Sequence, residues 1–171
     1  RRGLDSKELW EAFRIGFADG TFSTGLPNHG PAKEALTQLG VLNSKGKEAF
    51  RGCIVVPLSH PDQGLVGLYG RRIDPEAAVK HQYLPGPHRG VLNWQALQLS
   101  PKVIVAESVL DALSLWRAGL TEVTCIYGVQ GLSQDLLELL ERYGVREVSF
   151  CLDNDRAGQE ATDKLSARLQ Q

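Results

Sequence analysis

The sequence is poor in the features that mark membrane-bound or disulfide-stapled proteins. Across 171 residues it has no methionine, three cysteines and 7% aromatics. No apolar run approaches the roughly 18 residues a membrane helix needs, so no helical span is expected. The pattern of a secretory leader, with basic start, apolar run and small-residue cleavage site, is absent as well. Because the sequence opens at Arg1 and lacks methionine throughout, it reads as a piece of a longer protein, and flanking domains are expected. The cysteines, Cys53, Cys125 and Cys151, are odd in number, lack metal-ligand spacing and sit in apolar stretches. They are expected to be buried free thiols in a reducing cytosol, which implies a cytoplasmic protein.

Net charge is nearly absent too, at −1, which excludes a uniformly basic or acidic chain. What is present is an ordinary globular composition, 42% hydrophobic and 23% charged, on a chain long enough to bury about 70% of its unfolded surface. The small net charge conceals two unlike halves. Residues 1–100 carry 12 Lys and Arg against 9 Asp and Glu, a balance of +3; residues 101–171 carry 7 against 11, a balance of −4. A basic half joined to an acidic half suits a polyanion track beside a metal-binding cluster. Chance patterning of solvated faces gives the same numbers, so charge alone does not decide.

Residues 1–100 form the first expected domain, a smaller mixed α+β lobe. Asp5 with Glu8 three residues later has the spacing of a capping box and predicts a short helix through Phe13, ended by Gly16. Pro31 at a first helical position and Gly40 at a C-cap predict a second helix from Pro31 to Leu39. Two strand-like runs, Cys53–Val56 and Leu65–Gly70, flank turn-forming residues from Ser59 to Gly64 and predict a β-hairpin. From Asp74 to Gly90 the chain reads as a Pro- and Gly-punctuated loop, long enough to suggest function.

Residues 101–171 form the second expected domain. Short apolar runs at Lys102–Ala106, Glu122–Tyr127 and Glu147–Leu152 alternate with helical periodicities at Val109–Leu120, after Ser133, and at Ala157–Leu169. This alternation predicts right-handed βαβ units, hence an α/β domain with a parallel sheet and helices on both faces. Chemistry in such sheets gathers at the carboxyl ends of the strands. Here those ends carry Glu107, Gly128 and Asp153-Asn154-Asp155, with Asp111 one helical turn beyond Glu107.

Glu107, Asp153 and Asp155 are therefore expected to share one small volume. Two bare carboxylates about 4 Å apart repel by on the order of 4 kcal/mol at an effective dielectric near 20, so such a cluster must protonate or bind a cation. Oxygen donors without neighbouring Cys or His favour Mg²⁺ or Mn²⁺. Each residue also has a plainer reading: Asp155 as a helix N-cap, Glu107 as an acid favoured by a helix dipole, Asp111 as a solvated helix residue and Gly128 as a turn. Their joint order on successive strand ends favours the metal reading.

Val103–Leu113 (VIVAESVLDAL) resembles the first motif of Toprim domains, and Cys151–Gly158 (CLDNDRAG) resembles their Asp-x-Asp motif in the form found in primases. Upstream, Arg2-Gly3-Leu4, Ile15-Gly16-Phe17-Ala18, Phe50-Arg51-Gly52, Leu68–Arg72, Lys80…Tyr83-Leu84 and Arg89–Asn93 resemble the amino-terminal lobe of the DnaG-type primase core. The resemblance spans essentially the whole chain. It implies Mg²⁺-dependent, template-directed synthesis of short RNA primers on single-stranded DNA from ribonucleoside triphosphates. Glu107, Asp153 and Asp155 would be metal ligands and catalytic, with Asp111 a secondary member. Arg2, Arg51, Arg71, Arg72, Lys80 and Arg89 would contact template phosphates or the triphosphate. Taken singly, each of these basic side chains reads more readily as a solvated surface charge. A replicative helicase is implied as a partner through flanking domains.

The sequence departs from the family pattern in three places. Ser108 follows Glu107 where Gly is common, a variant similar to primases of phages and mobile elements; Arg89 stands for a usual Lys; and the further downstream Asp-x-Asp of primases is absent, so the second domain reads as truncated at its C-terminus. Zinc-ribbon cysteines are absent too. The rival readings are a Toprim nuclease using the same ions and a non-catalytic DNA-binding Toprim module.

Overall fold

The computed structural model of the chain describes residues 3–127 and 132–170; Arg2 and Gly128, singled out above, lie outside the described residues. The chain divides into two compact units. One comprises Trp10–Pro57 and Gly67–His88. The other comprises Leu58–Val66 and the chain from Arg89 onward, together with the residues up to Leu9. The division thus differs from a cut at residue 100. Segment 89–100 goes with the second unit because its polar groups bond there: Asn93 Nδ2 donates to the carbonyls of Thr121 (2.9 Å) and Val123 (2.8 Å), and Thr124 Oγ1 donates to Leu92 O (2.6 Å).

The helix α1 (Lys7–Ala12) starts later than expected. Ser6 rather than Asp5 is the side chain that accepts from a first-turn amide, that of Leu9 at 3.4 Å. The chain leaves the helix at Arg14, which has φ 51°, two residues before the glycine expected to end it. Gly16 itself belongs to a two-residue strand, β1 (Gly16–Phe17). After a single 3₁₀ turn (Phe22–Gly25) comes α2 (Pro31–Gln38), with proline in its first turn as expected. The strands β2 (Cys53–His60) and β3 (Gly64–Arg72) are longer than their apolar runs, so the turn between them contracts to residues 61–63. The segment expected to be loop contains a strand, β4 (His81–Tyr83), paired antiparallel to β3 with Tyr69 opposite Tyr83 and Arg71 opposite His81. Three residues carry too little periodicity to be legible; β3 supplies the template. The antiparallel sheet runs β1-β2-β3-β4.

In the other unit, α3 (Trp94–Leu99) precedes β5 (Lys102–Ala106), α4 (Val109–Arg117), β6 (Val123–Cys125), α5 (Gln134–Arg142), β7 (Glu147–Cys151) and α6 (Arg156–Leu169). The three strands are parallel in the order β6-β5-β7, as their alternation with helices implied. From β5 the chain steps outward to β6, then back across to β7. Right-handed crossovers in opposite directions place α4 on one face and α5 on the other. Val103 and Val105 of β5 join Leu97, Leu136, Leu139, Leu140 and Leu165 in one core, while α4 buries Val109, Leu110, Ala112 and Leu113 apart from that cluster. Each fully buried leucine contributes on the order of 2 kcal/mol. Among the described residues no helix is long and apolar enough to cross a membrane.

The three cysteines do not share one fate. Cys53 and Cys125 are buried, but Cys151 is exposed, contrary to expectation. It lies on β7, an edge strand whose alternate residues Glu147, Ser149 and Cys151 are exposed while Val148 and Phe150 pack inward.

Candidate active site

The register of β5 and β7 sets Ala106 opposite Cys151, so both chains leave the sheet side by side at the same edge. Glu107 is the next residue on one and Asp153 follows shortly on the other. The outcome is a direct bond: the backbone N–H of Asp153 donates to Glu107 Oε2 at 2.8 Å. Asp153 and Asp155 are both exposed.

Asp155 is the N-cap of α6. Its Oδ1 accepts from the Gly158 N–H at 2.8 Å, leaving its second oxygen outside that bond. The spacing Asp-x-x-Gly has a steric reason: a Cβ at Gly158 would stand 2.0 Å from Asp153 O. Only glycine lets the first turn of α6 lie against the backbone that carries Asp153. Ser108 likewise caps α4. Its Oγ accepts from the Asp111 N–H at 3.3 Å and donates to Asp111 Oδ2 at 2.5 Å, so the Asp111 carboxylate is engaged by the serine that departs from the family pattern.

Glu107, Asp153 and Asp155, expected to share one small volume, do not stand as a ready ligand cluster: among the described residues no group of three or more His, Cys, Asp or Glu is arranged to hold a metal ion. Helix capping explains the difference, since it draws the Asp155 and Asp111 carboxylates toward α6 and α4. What does come together is Glu107 with the Asp153 backbone. The donors at this edge are all oxygens, and Mg²⁺ takes only one or two protein carboxylates while keeping water and phosphate oxygens in its shell. This donor set fits a hard divalent cation held loosely and completed by a phosphate ligand.

The basic candidates fall into two groups. Arg89 is tied down: its Nε donates to both oxygens of the buried Asp135, at 3.1 and 3.0 Å, and its Nη2 to Gln63 Oε1 at 3.1 Å. Asp135 also accepts from the Gly90 N–H at 2.6 Å. Gly90 has φ 81°, and a Cβ there would approach the Leu58 carbonyl carbon to 2.8 Å, so this junction requires glycine. In the other unit, Arg72 Nη1 donates to Arg51 O at 2.8 Å, and the Arg72 N–H to Lys80 O at 3.0 Å. Arg51 and Lys80 are exposed. Arg71 Nη1 contacts His81 Nε2. Asp135 and His81 were not singled out from sequence, and Ser108 was noted for its departure from the family pattern but not as a cap. Ser108 had a legible cue, three residues before Asp111 at a helix start; the other two act through partners 46 and 10 residues away.

Residues 104–171 match the Toprim-like family model. The DNA primase of Helicobacter pylori strain J99 is 30% identical over 185 aligned positions, covering 99% of this chain and 32% of that protein. The Escherichia coli primase catalytic core is similar in structure, with a TM-score of 0.75 at 25% identity over 95% of this chain and 56% of that one. A DnaG primase catalytic domain bound to single-stranded DNA gives a TM-score of 0.74 at 26% identity, again over 95% and 56%. The chain spans about a third of the length of the curated relatives it matches. With a Toprim-like segment carrying the Glu107 and Asp153 edge, this chain shares the fold of DnaG-type primase catalytic cores along nearly its whole length.

Proposed function

We propose that the chain acts as the catalytic core of a DNA primase, making short RNA primers on single-stranded DNA from ribonucleoside triphosphates with Mg²⁺ or Mn²⁺. The observation that carries this reading is the hydrogen bond from the Asp153 N–H to Glu107 Oε2, which sets two acids from distant sequence positions at one strand-end edge. Glu107, Asp153 and the free oxygen of Asp155 would hold the metal, with Asp111 behind them. A divalent ion there would neutralise the charge that develops on a transferring phosphoryl group and orient the attacking 3′-hydroxyl. Arg51, Arg71, Arg72 and Lys80 would bind template or triphosphate phosphates, the Arg forks bidentately and the Lys as a point charge. Arg2, outside the described residues, and Arg89 belong to the same proposal, with Arg89 held by Asp135. A cytoplasmic setting and a helicase partner reached through other domains complete the reading.

The test is an Asp153→Asn, Asp155→Asn double variant of the full protein. We expect the fold to be retained and both Mn²⁺ binding and primer synthesis to be lost. Unchanged metal affinity in a folded double variant removes the proposed site. Cleavage of single-stranded DNA with Mg²⁺ and no synthesis when ribonucleotides are added replaces the primase reading with the nuclease one.

A further inference from the structure

His81 and Arg71 stand directly opposite each other on the antiparallel strands β4 and β3. Because side chains alternate faces along a strand, Arg71, Tyr69, His81 and Tyr83 share one face of this ribbon. Tyr69 is fully buried. Its ring lies 5.8 Å from that of His81 and 5.3 Å from that of Tyr83. The imidazole is bound at both nitrogens: Nδ1 lies 3.0 Å from Tyr69 Oη, and Nε2 contacts Arg71 Nη1.

Chemistry fixes the proton positions in this chain. A guanidinium donates and never accepts, so His81 Nε2 must present its lone pair to Arg71. The imidazole is then neutral, with its proton on Nδ1 and donated to Tyr69 Oη. One Nη1 hydrogen of the half-buried Arg71 is thereby committed, which restrains its planar fork while its other N–H groups remain available as donors. An Arg pre-organised in this way loses less side-chain freedom on binding a phosphate than a swinging one does.

We propose that His81 is a positioning residue that aims Arg71 at a phosphate oxygen of bound nucleic acid, with Tyr69 bracing the imidazole. The inference rests on Arg71 being a phosphate contact, as the proposed function holds. The Tyr69 phenol and the Arg71 guanidinium on β3 face the ring, with Tyr83 beyond Tyr69. Protonation of His81 removes the lone pair at Nε2 and sets two cations against each other, which releases Arg71. A histidine that merely sat on a DNA-binding surface would do the opposite, since its added charge tightens binding to a polyanion as pH falls.

The experiment measures affinity for a fluorescein-labelled single-stranded DNA oligonucleotide by anisotropy, from pH 5.5 to 8, in the full protein. The variants are His81→Gln, His81→Phe, Arg71→Ala and Arg71→Ala with His81→Phe. Glutamine keeps an acceptor for Arg71 that does not titrate, and it leaves the other histidines in place as an internal control. At pH 7.5 we expect His81→Gln to bind within twofold of the parent and His81→Phe three- to tenfold more weakly. Between pH 7.5 and 5.5 the parent should lose several-fold in affinity relative to His81→Gln. Arg71→Ala should bind weakly, with its salt slope reduced by about 0.7, the share of one single-strand phosphate contact. Adding His81→Phe to it should change nothing further. If Arg71→Ala binds as the parent does, the phosphate role of Arg71 fails and this inference with it. If Arg71→Ala weakens binding but His81→Phe does not, or if the parent-to-Gln ratio is flat or inverted with pH, the positioning role alone is overturned. Should His81→Phe not fold, the pH dependence of that ratio still decides.

Discussion

Asp135 and Arg89 form an ion pair 46 residues apart in sequence, at 3.0 Å, in which the acid is buried and the base is 41% exposed. The pair joins the first turn of α5 to the residue preceding Gly90, whose N–H the same carboxylate accepts. An Arg held at Nε keeps other N–H donors, so a structural tie and a phosphate contact are both open to it, and they predict different results.

Arg89→Ala separates them. Removing the base leaves a buried carboxylate with the Gly90 N–H as its remaining partner here, and an uncompensated buried charge is expensive. Because Arg89 is partly exposed, the expected loss is about 2 kcal/mol rather than the 3–5 of a fully buried pair. Urea unfolding of the parent and Arg89→Ala reads this directly. Weaker DNA binding with unchanged stability makes Arg89 a ligand contact and not a tie.

Amide substitutions at the strand-end edge isolate charge from structure. Glu107→Gln keeps an oxygen for the Asp153 N–H, and Asn is as good an N-cap as Asp, so Asp155→Asn keeps the bond to Gly158. Both should unfold within about 0.5 kcal/mol of the parent, the range of ordinary surface substitutions. Asp155→Ala should cost about 1 kcal/mol more through the lost cap. Mn²⁺ titration should show all three weakened at least tenfold. If Asp155→Asn titrates normally, Asp155 is a cap and nothing else.

How much of this was legible in the sequence depended on the range of the interaction. The parallel sheet and its helices were, because strand runs such as Lys102–Ala106 and the periodicity of α4 and α5 are local. The Glu107 edge was, because parallel strands must deliver their carboxyl ends together. The direction of the Asp155 and Asp111 carboxylates was not: capping competes with metal binding for the same oxygens, and sequence shows the residues but not which use prevails. The strand β4 was missed because three residues paired to β3 have no periodicity of their own. The exposure of Cys151 was missed because an apolar neighbourhood looks the same on an edge strand as on a central one.

Gly158→Ala tests whether the close approach of α6 to Asp153 matters. The added Cβ would meet a backbone carbonyl oxygen at 2.0 Å, and backbone cannot yield as a side-chain tip can. The helix start must shift, at about 1–3 kcal/mol, typical of overpacking. Because the displaced strand end carries Asp153, Mn²⁺ affinity should fall with it. A variant destabilised but with parental metal affinity shows that α6 takes up the shift alone and that its close approach does not set the metal site.

Thiol reactivity should count the cysteines by environment. Burial pushes the Cys125 thiol far above its ordinary range, and desolvation raises Cys53 as well, so neither supplies much thiolate near neutrality. Cys151 is exposed. A chromogenic disulfide reagent at pH 8 should titrate one thiol per native chain and three after denaturation. Two or more fast native thiols place another cysteine at the surface.

Asp62 and Arg142 give stability a pH dependence with a definite sign. Arg142 donates to the Asp62 carboxylate at 2.5 and 3.1 Å, and these hydrogen bonds hold the Asp62 carboxyl below its usual range. A folded-state pKa lower than the unfolded one stabilises at pH above the unfolded value, about 3.9, and the contribution is lost as pH falls through the folded value. The melting temperature of Asp62→Asn should therefore lie below that of the parent at pH 7, and the two should converge as pH drops below about 4. Both groups are at the surface, so the gap should also narrow in 1 M salt, where the screening length falls to about 3 Å. A gap that persists unchanged at pH 3 assigns the role of Asp62 to its shape and not to its charge.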